Sequence, residues 1–259
     1  MELQYLLICV VCFLGSGLTL FSGFGLGTLM VPVFGLFFPI EIAISLTAIV
    51  HFLNNLFKLF LLGTKANKGM VLKFGIPSLL ASFIGAMVLG SLTGMEPVAV
   101  YEWNASTFYI SPVKLTIAGL LAFFSLVELI PSWSKLQFEP RYLIPGGFIS
   151  GFFGGLSGNQ GALRTAFLIK SGLDKEAFIA TGVVIACMVD VARLLVYSDR
   201  FVEAEMSRHG LLLLIATASA FAGAFIGNRL LKKMTIQSVQ KIVAITLLLF
   251  SLLLGAGII

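Results

Sequence analysis

The sequence predicts an all-α polytopic membrane protein made of two repeats, each a glycine-broken, re-entrant helical segment followed by three transmembrane helices. Three observations carry this. Of 259 residues, 58% are hydrophobic and only 11% charged, with mean hydropathy +1.04, whereas a soluble domain keeps roughly a quarter of its residues charged. Apolar runs on the order of 20 residues, enough to cross a bilayer, recur from end to end. Sliding the chain on itself by the 134 positions that separate Gly17 from Gly151 also places Gly27 on Gly161, Leu29 on Leu163, Ala43 on Ala177 and Thr47 on Thr181. A small drift later, residues 83–86 lie over residues 221–224, which marks an internal repeat.

In chain order, residues 3–21 are apolar, 22–27 are broken by glycine, and 28–38 are apolar again before Pro39. No Lys or Arg precedes the first run, so the basic n-region of a cleavable signal peptide is missing and the first helix is expected to stay. Helices are expected over 41–62, 71–92 and 114–130, the last stopped by Pro131. The loop 63–69 is basic; the loop 93–111 carries Tyr101, Trp103 and Tyr109, aromatics suited to the lipid–water interface. A linker, 132–141, leads to the second broken segment, 142–170, and helices follow over 175–197, 210–231 and 236–257. Residues 1–131 thus read as the first membrane repeat and 142–259 as the second, together one membrane domain. Cys9, Cys12 and Cys187 are scattered in apolar helices and form neither a disulfide framework nor a metal motif; no cofactor is indicated.

The net charge of +5 and pI of about 9.2 do not point to nucleic acid, because the basic residues sit in short loops between apolar runs, where topology explains them. If each broken segment crossed the membrane once, the cations would divide evenly. If each dips in and returns, Lys65, Lys68, Lys73, Lys135, Arg141, Lys170, Lys175, Arg229, Lys232, Lys233 and Lys241 share one side, and Lys114, Arg200 and Arg208 face the other. The second division matches the cytoplasmic excess of Lys and Arg; the count fixes only the second segment, because residues 3–21 are long enough to span alone. It leaves three full crossings per half, so the halves are expected to be inverted and both termini to lie outside the cytoplasm.

The chemistry is expected where glycines and polar side chains interrupt the oil. Non-helical backbone at membrane depth survives only against protein or a wet cavity. Gly23, Gly25 and Gly27 in the first break, and Gly158, Asn159, Gln160 and Gly161 in the second, each open a helix whose N-terminal N–H groups favour an anion. Arg164, a turn further on, adds a permanent charge with a planar fork for an oxyanion. His51, Asn54, Asn55 and Lys58 form one polar stripe at i, i+3, i+4 and i+7, with Asn54 and Asn55 as candidate substrate ligands. Asp190 and Arg193 are i, i+3 neighbours. His51 could carry a coupling proton, or sit neutral in a helix interface; Asp190 could neutralise Arg193, or pair with Arg164. Glycines serve close helix packing equally well.

The broken segment ending Leu29-Met-Val-Pro32, its copy over 151–168, the phrase Gly172-Leu-Asp-Lys-Glu-Ala177 with Thr181, and the small-residue helices at Gly85 and Gly223 resemble the TauE/SafE family of sulfite exporters and related permeases. The resemblance covers almost the whole chain and implies a transporter of small, often sulfur-containing anions such as sulfite, sulfoacetate or other organosulfonates. The second copy departs from the family pattern: a longer glycine run and a proline are replaced by Gly158-Asn-Gln-Gly161 and Ala166, and Arg164 is an addition, so the substrate does not carry over. The expected reading is a secondary carrier with no catalytic residues. Its partners are a small anion, the bilayer, and a coupling ion or second copy of the chain still to be assigned. Rival readings are an uncoupled channel and a rhomboid-like serine protease, in which Ser157 of Gly155-Leu-Ser-Gly158 would need a later base, for which only His209 is available.

Overall fold

The computed structural model describes residues 2–22, 26–130, 132–133, 136–197, 203–230 and 236–259. The first broken segment comprises α1 (Glu2–Ser22) and α2 (Leu26–Gly35), followed by α3 (Ile40–Leu62), α4 (Lys68–Leu92, with a π turn over Val71–Gly75) and α5 (Pro112–Leu129). The second comprises α6 (Leu143–Ser157) and α7 (Gly161–Leu168), followed by α8 (Lys175–Tyr197), α9 (Glu203–Leu230) and α10 (Ile236–Gly255). Among the described residues, α3, α4, α5, α8 and α9 are long and apolar enough to cross a membrane, and α10 contributes a shorter apolar stretch, Lys241–Gly255. The all-α, polytopic class is therefore the observed one. Local signals set the boundaries: Ser111 caps α5 by accepting from the Lys114 N–H at 3.3 Å, and Asp174 caps α8 by accepting from the Ala177 N–H at 2.8 Å. α9 starts earlier than its hydropathy suggests, with non-helical backbone at His209.

One element was not legible as such. The loop 93–111 contains an antiparallel hairpin, β1 (Ala99–Trp103) with β2 (Ser106–Ile110), turned by Asn104 and Ala105 at φ 49° and 62°. Two residues at positive φ are what a two-residue hairpin turn demands. Tyr101 stacks on Phe108 across the pair, and its hydroxyl donates to the Ala256 carbonyl at 2.6 Å, tying the hairpin to the end of α10.

Both broken segments fold back on themselves. In the second, Gly146 near the start of α6 packs on Phe167 near the end of α7, and the Phe138 N–H donates to the Ala166 carbonyl at 3.0 Å, so the chain leaves where it entered. In the first, Gly15 of α1 meets Leu26 and Leu29 of α2, and Cys12 lies 3.6 Å from Met30, sulfur to sulfur, again an antiparallel pair.

Each hairpin packs against the other half. α6 lies along α4, and Gly147, Gly151 and Gly155 lie one helical turn apart on it against the Phe74, Ser78 and Ser82 main chain, where any Cβ would overlap a carbonyl. Gly85 of α4 meets the Phe152 carbonyl in the same seam, and Gly223 of α9 meets the Phe13 carbonyl of α1. Gly85 and Gly223 stand at matching positions when the sequence is slid on itself, and each meets a carbonyl of a hairpin helix from the other half of the chain. Small residues let membrane helices approach this closely and gain dispersion contacts where no hydrophobic drive separates protein from lipid. Along the middle, α3 packs on α8 and α5 on α10. α3 and α8 run antiparallel: Lys65 pairs with Glu176 at one end, His51 with Asp190 midway, and Ser45 and Tyr197 line one small cavity at the other.

These directions gather Lys65, Lys68, Lys73, Arg141, Lys170, Lys175 and Lys241 at one end of the bundle, with Lys114 and Arg208 at the other. Lys135, Arg200, Lys232 and Lys233 lie outside the described residues.

Candidate functional site

The stripe on α3 faces inward: His51, Asn54, Asn55 and Lys58 are all buried, as their helical spacing requires if that face packs on α8. Asp190 of α8, fully buried, is the hub. Its Oδ2 lies 2.6 Å from His51 Nδ1 and accepts from Asn55 Nδ2 at 3.2 Å, while its Oδ1 accepts from Arg193 Nη1 at 3.4 Å. The Asn55 amide also lies 3.2 and 3.3 Å from the two imidazole nitrogens. A carboxylate with two oxygens can hold these three groups at once. His51 is thus hydrogen-bonded across the helix interface, and Asp190 also partners Arg193.

The tip of the second hairpin sits on this cluster. Gly158 stops α6 in the left-handed conformation, φ 79°, its N–H donating to the Gly154 carbonyl at 2.8 Å. A side chain there would collide with the guanidinium of Arg193, 2.9 Å from where its Cβ would lie. Arg193 therefore lies directly under the turn, with its guanidinium carbon 5.8 Å from the Tyr197 ring centroid; the Tyr197 hydroxyl holds the Gly155 carbonyl at 2.9 Å. Ser157, Asn159 and Gln160 are all buried. α7 then begins at Gly161 with no side-chain cap on its N–H groups.

Arg164 is half-buried and lies against Gly182 of α8, where a Cβ would stand 3.3 Å from its Nε. Asp190 is within its Coulombic reach, but of the two arginines it is Arg193 that contacts the carboxylate. Of the first tip, Gly23 and Gly25 lie outside the described residues, while Gly27 faces the second tip: a Cβ on it would lie 3.6 Å from the His51 ring and 3.7 Å from the Gly158 carbonyl oxygen. Asn54 points toward α1, accepting from the Ser16 hydroxyl at 3.0 Å.

Several buried polar atoms around the two tips have no hydrogen-bond partner: Nδ2 of Asn54, both amide atoms of Asn159, Oε1 of Gln160, and Nε and Nη2 of Arg193. Each such group costs on the order of 1–3 kcal/mol if left so, and several at one place call for an explanation in function. Together they offer donors, acceptors and a cation within a membrane interior.

The rival serine site is not assembled in this way. The Ser157 hydroxyl donates to the Phe153 carbonyl at 3.1 Å and accepts from the Asn159 N–H at 3.3 Å, while His209 packs edge-on against Phe38 with ring centroids 4.9 Å apart. Among the described residues no group of three or more His, Cys, Asp or Glu side chains could hold a metal ion.

A protein-family model described as "Sulfite exporter TauE/SafE" matches residues 7–254, nearly the whole chain and both hairpins. The chain belongs to that family. It is accordingly an integral, multi-pass membrane protein of a transporter family, as its apolar helices require. No curated protein and no solved structure matches it.

Sequence reasoning missed the Arg193 guanidinium beneath the Gly158 turn and the Ser16–Asn54 and Tyr197–Gly155 bonds that fix the hairpins to α3 and α8. The i, i+3 pairing of Asp190 and Arg193 was a usable signal for the first. The other two depend on inter-helix register and had none.

Proposed function

We propose that this TauE/SafE permease moves small anions, sulfur oxyanions or organosulfonates such as sulfite or sulfoacetate, as a secondary carrier with one central site. The cluster of unpartnered buried polar atoms where the two hairpin tips meet carries this reading. Gly27, Gly158 and Gly161 leave main-chain groups open to the anion; Gly23 and Gly25, expected from the sequence to do the same, lie outside the described residues. Asn54, Asn55, Asn159 and Gln160 orient it, and Arg164 with Arg193 supplies the positive charge. The two membrane repeats, 1–131 and 142–259, act as one transport domain. The antiparallel course of α3 and α8, which are repeat mates, supports an inverted arrangement of the halves, and such halves rock about a mid-membrane site in many carriers. The end that gathers most Lys and Arg is then cytoplasmic.

The test is a thermal-shift screen of the purified protein against sulfite, sulfate, sulfoacetate, taurine and simple carboxylates, since a true ligand stabilises by mass action. Counterflow in proteoliposomes with the anion that binds follows. Counterflow separates a carrier from a channel. An Arg164→Ala protein that folds and still transports at the full rate would remove Arg164 from the site.

A further inference from the structure

We infer that one proton travels with the anion, carried on His51, and that its arrival releases Arg193 from Asp190 for the substrate. This rests on the permease reading and adds the coupling ion and the order of charge neutralisation.

The argument is geometric. Asp190 has one negative charge and two cationic suitors on different oxygens: the His51 ring at 2.6 Å on Oδ2, and Arg193 Nη1 at 3.4 Å on Oδ1. The first is as short as a strong charge-assisted hydrogen bond, the second long. When His51 is neutral, Asp190 must balance Arg193. When His51 gains a proton, the imidazolium and the carboxylate form a self-neutral pair, with the Asn55 amide bonded to the same Oδ2 at 3.2 Å. Arg193, 1% exposed, is then a cation without a counter-charge, and its Nε and Nη2 have no acceptor. A buried charge in that state demands an anion, and the turn that touches this guanidinium is the Gly158 tip, beside the unpartnered amide of Asn159.

The other groups facing the cluster do not undo this. On α3 itself Lys58 is buried one turn beyond Asn54; from α7, Arg164 lies within Coulombic reach of both Lys58 and Asp190; and α8 adds Cys187 and Tyr197. Among the described residues, α1 and α2 present Ser16 and Gly27 to α3, and on α9 His209 packs against Phe38 at the far end. The added cations strengthen the demand for an anion once Asp190 is taken by His51. The proton comes from water on the side where the anion enters, onto an imidazole nitrogen, and returns to water on the opposite side after the anion has left there. Nothing is oxidised and no covalent bond to the anion forms.

Binding of anion and proton must then favour each other reciprocally. The experiment uses full-length protein in lipid nanodiscs. Affinity for sulfate and methanesulfonate, whose own charge is constant between about pH 5.5 and 8.5, is measured across that range. In parallel, the two histidines are followed by nitrogen NMR, with His209→Asn giving the assignment. Affinity should rise by up to about tenfold per pH unit as pH falls, the limit for one linked proton, and adding anion should draw a proton onto His51 at a pH where it is otherwise neutral. In His51→Gln and Asp190→Asn the pH dependence should vanish. If those variants do not fold, the NMR titration of the wild-type chain decides alone, with sulfite as the added anion if only sulfite binds. Anion binding that leaves the His51 titration unmoved overturns the inference while the permease reading stands. Failure of every anion, sulfite included, to bind at any pH removes the permease reading and this inference with it.

Discussion

The two hairpins share a plan but not a chemistry. Both are a longer helix, a glycine-marked break and a short helix folded back on it, and both lie against the second full helix of the opposite half. Their tips meet at Gly27 and Gly158. At the second tip, however, Asn159, Gln160 and Arg164 stand where the repeat places Gly25, Leu26 and Met30 in the first. Leu26 and Met30 are buried among Ile8, Cys12 and Phe34, whereas Asn159 and Gln160 are buried with amide atoms unpaired. The difference teaches that two hairpins of one plan can make the same close packing contact while only one carries buried polar side chains at its turn. Backbone-to-backbone contacts constrain both hairpins equally, while the side chains at the turns are free to differ.

The helices behind the tips repeat this asymmetry and give the largest expected effect. Asp190 has Leu56, a partly exposed residue, as its repeat mate. Asp190→Ala strands His51 and Arg193 and should destabilise the protein by about 3–5 kcal/mol. Leu56→Ala should cost less than about 1 kcal/mol; thermal unfolding in detergent compares them. Equal costs would mean that the charged cluster does not organise the centre.

Next in size, Gly85→Ala and Gly223→Ala each press a methyl group onto a carbonyl of the other half's hairpin. Each should cost roughly 1–3 kcal/mol, and by similar amounts. Unfolding midpoints that differ widely between the two would break the claim that the scaffold contact is duplicated.

On transport, Arg164→Met installs the first hairpin's residue in the second. It should lower counterflow of the bound anion about tenfold or more, the loss of one charge-assisted contact to an anion, while the unfolding midpoint stays within a few degrees. Asn159→Gly, the same exchange at the turn, removes a neutral amide and should cost about threefold to tenfold in apparent affinity. If the Asn159 change outweighs that of Arg164, the amide rather than the charge selects the substrate.

Much of this was legible beforehand. The stripe of His51, Asn54, Asn55 and Lys58 had to be one face because its spacing is helical, and its burial follows from having nowhere else to go in a bilayer. The fold-back of the second segment followed from counting Lys and Arg, because charge asymmetry reports how many times a chain has crossed. The β-hairpin at Ala99–Ile110 was not legible: its strands are short, carry Glu102 and turn at Asn104-Ala105 with no glycine to announce a hairpin. Nor was the choice between Arg164 and Arg193 as the cation against the tip, because both sit on plausible helices and only the packing of α6 on α8 places one under Gly158.

The glycine-broken tip of the second hairpin shows where the division lies. By itself the sequence determined that a break exists there, that it must face protein or water, and that polar side chains collect around it, because periodicity, backbone freedom and the cost of burying charge are properties of neighbouring residues. Only the tertiary structure decided that Asp190 holds His51 and Arg193 at once and that Gly27 closes over them. The Asp190–Arg193 pair is three residues apart, but His51–Asp190 and Gly27–His51 join different helices, so only their packing decides them.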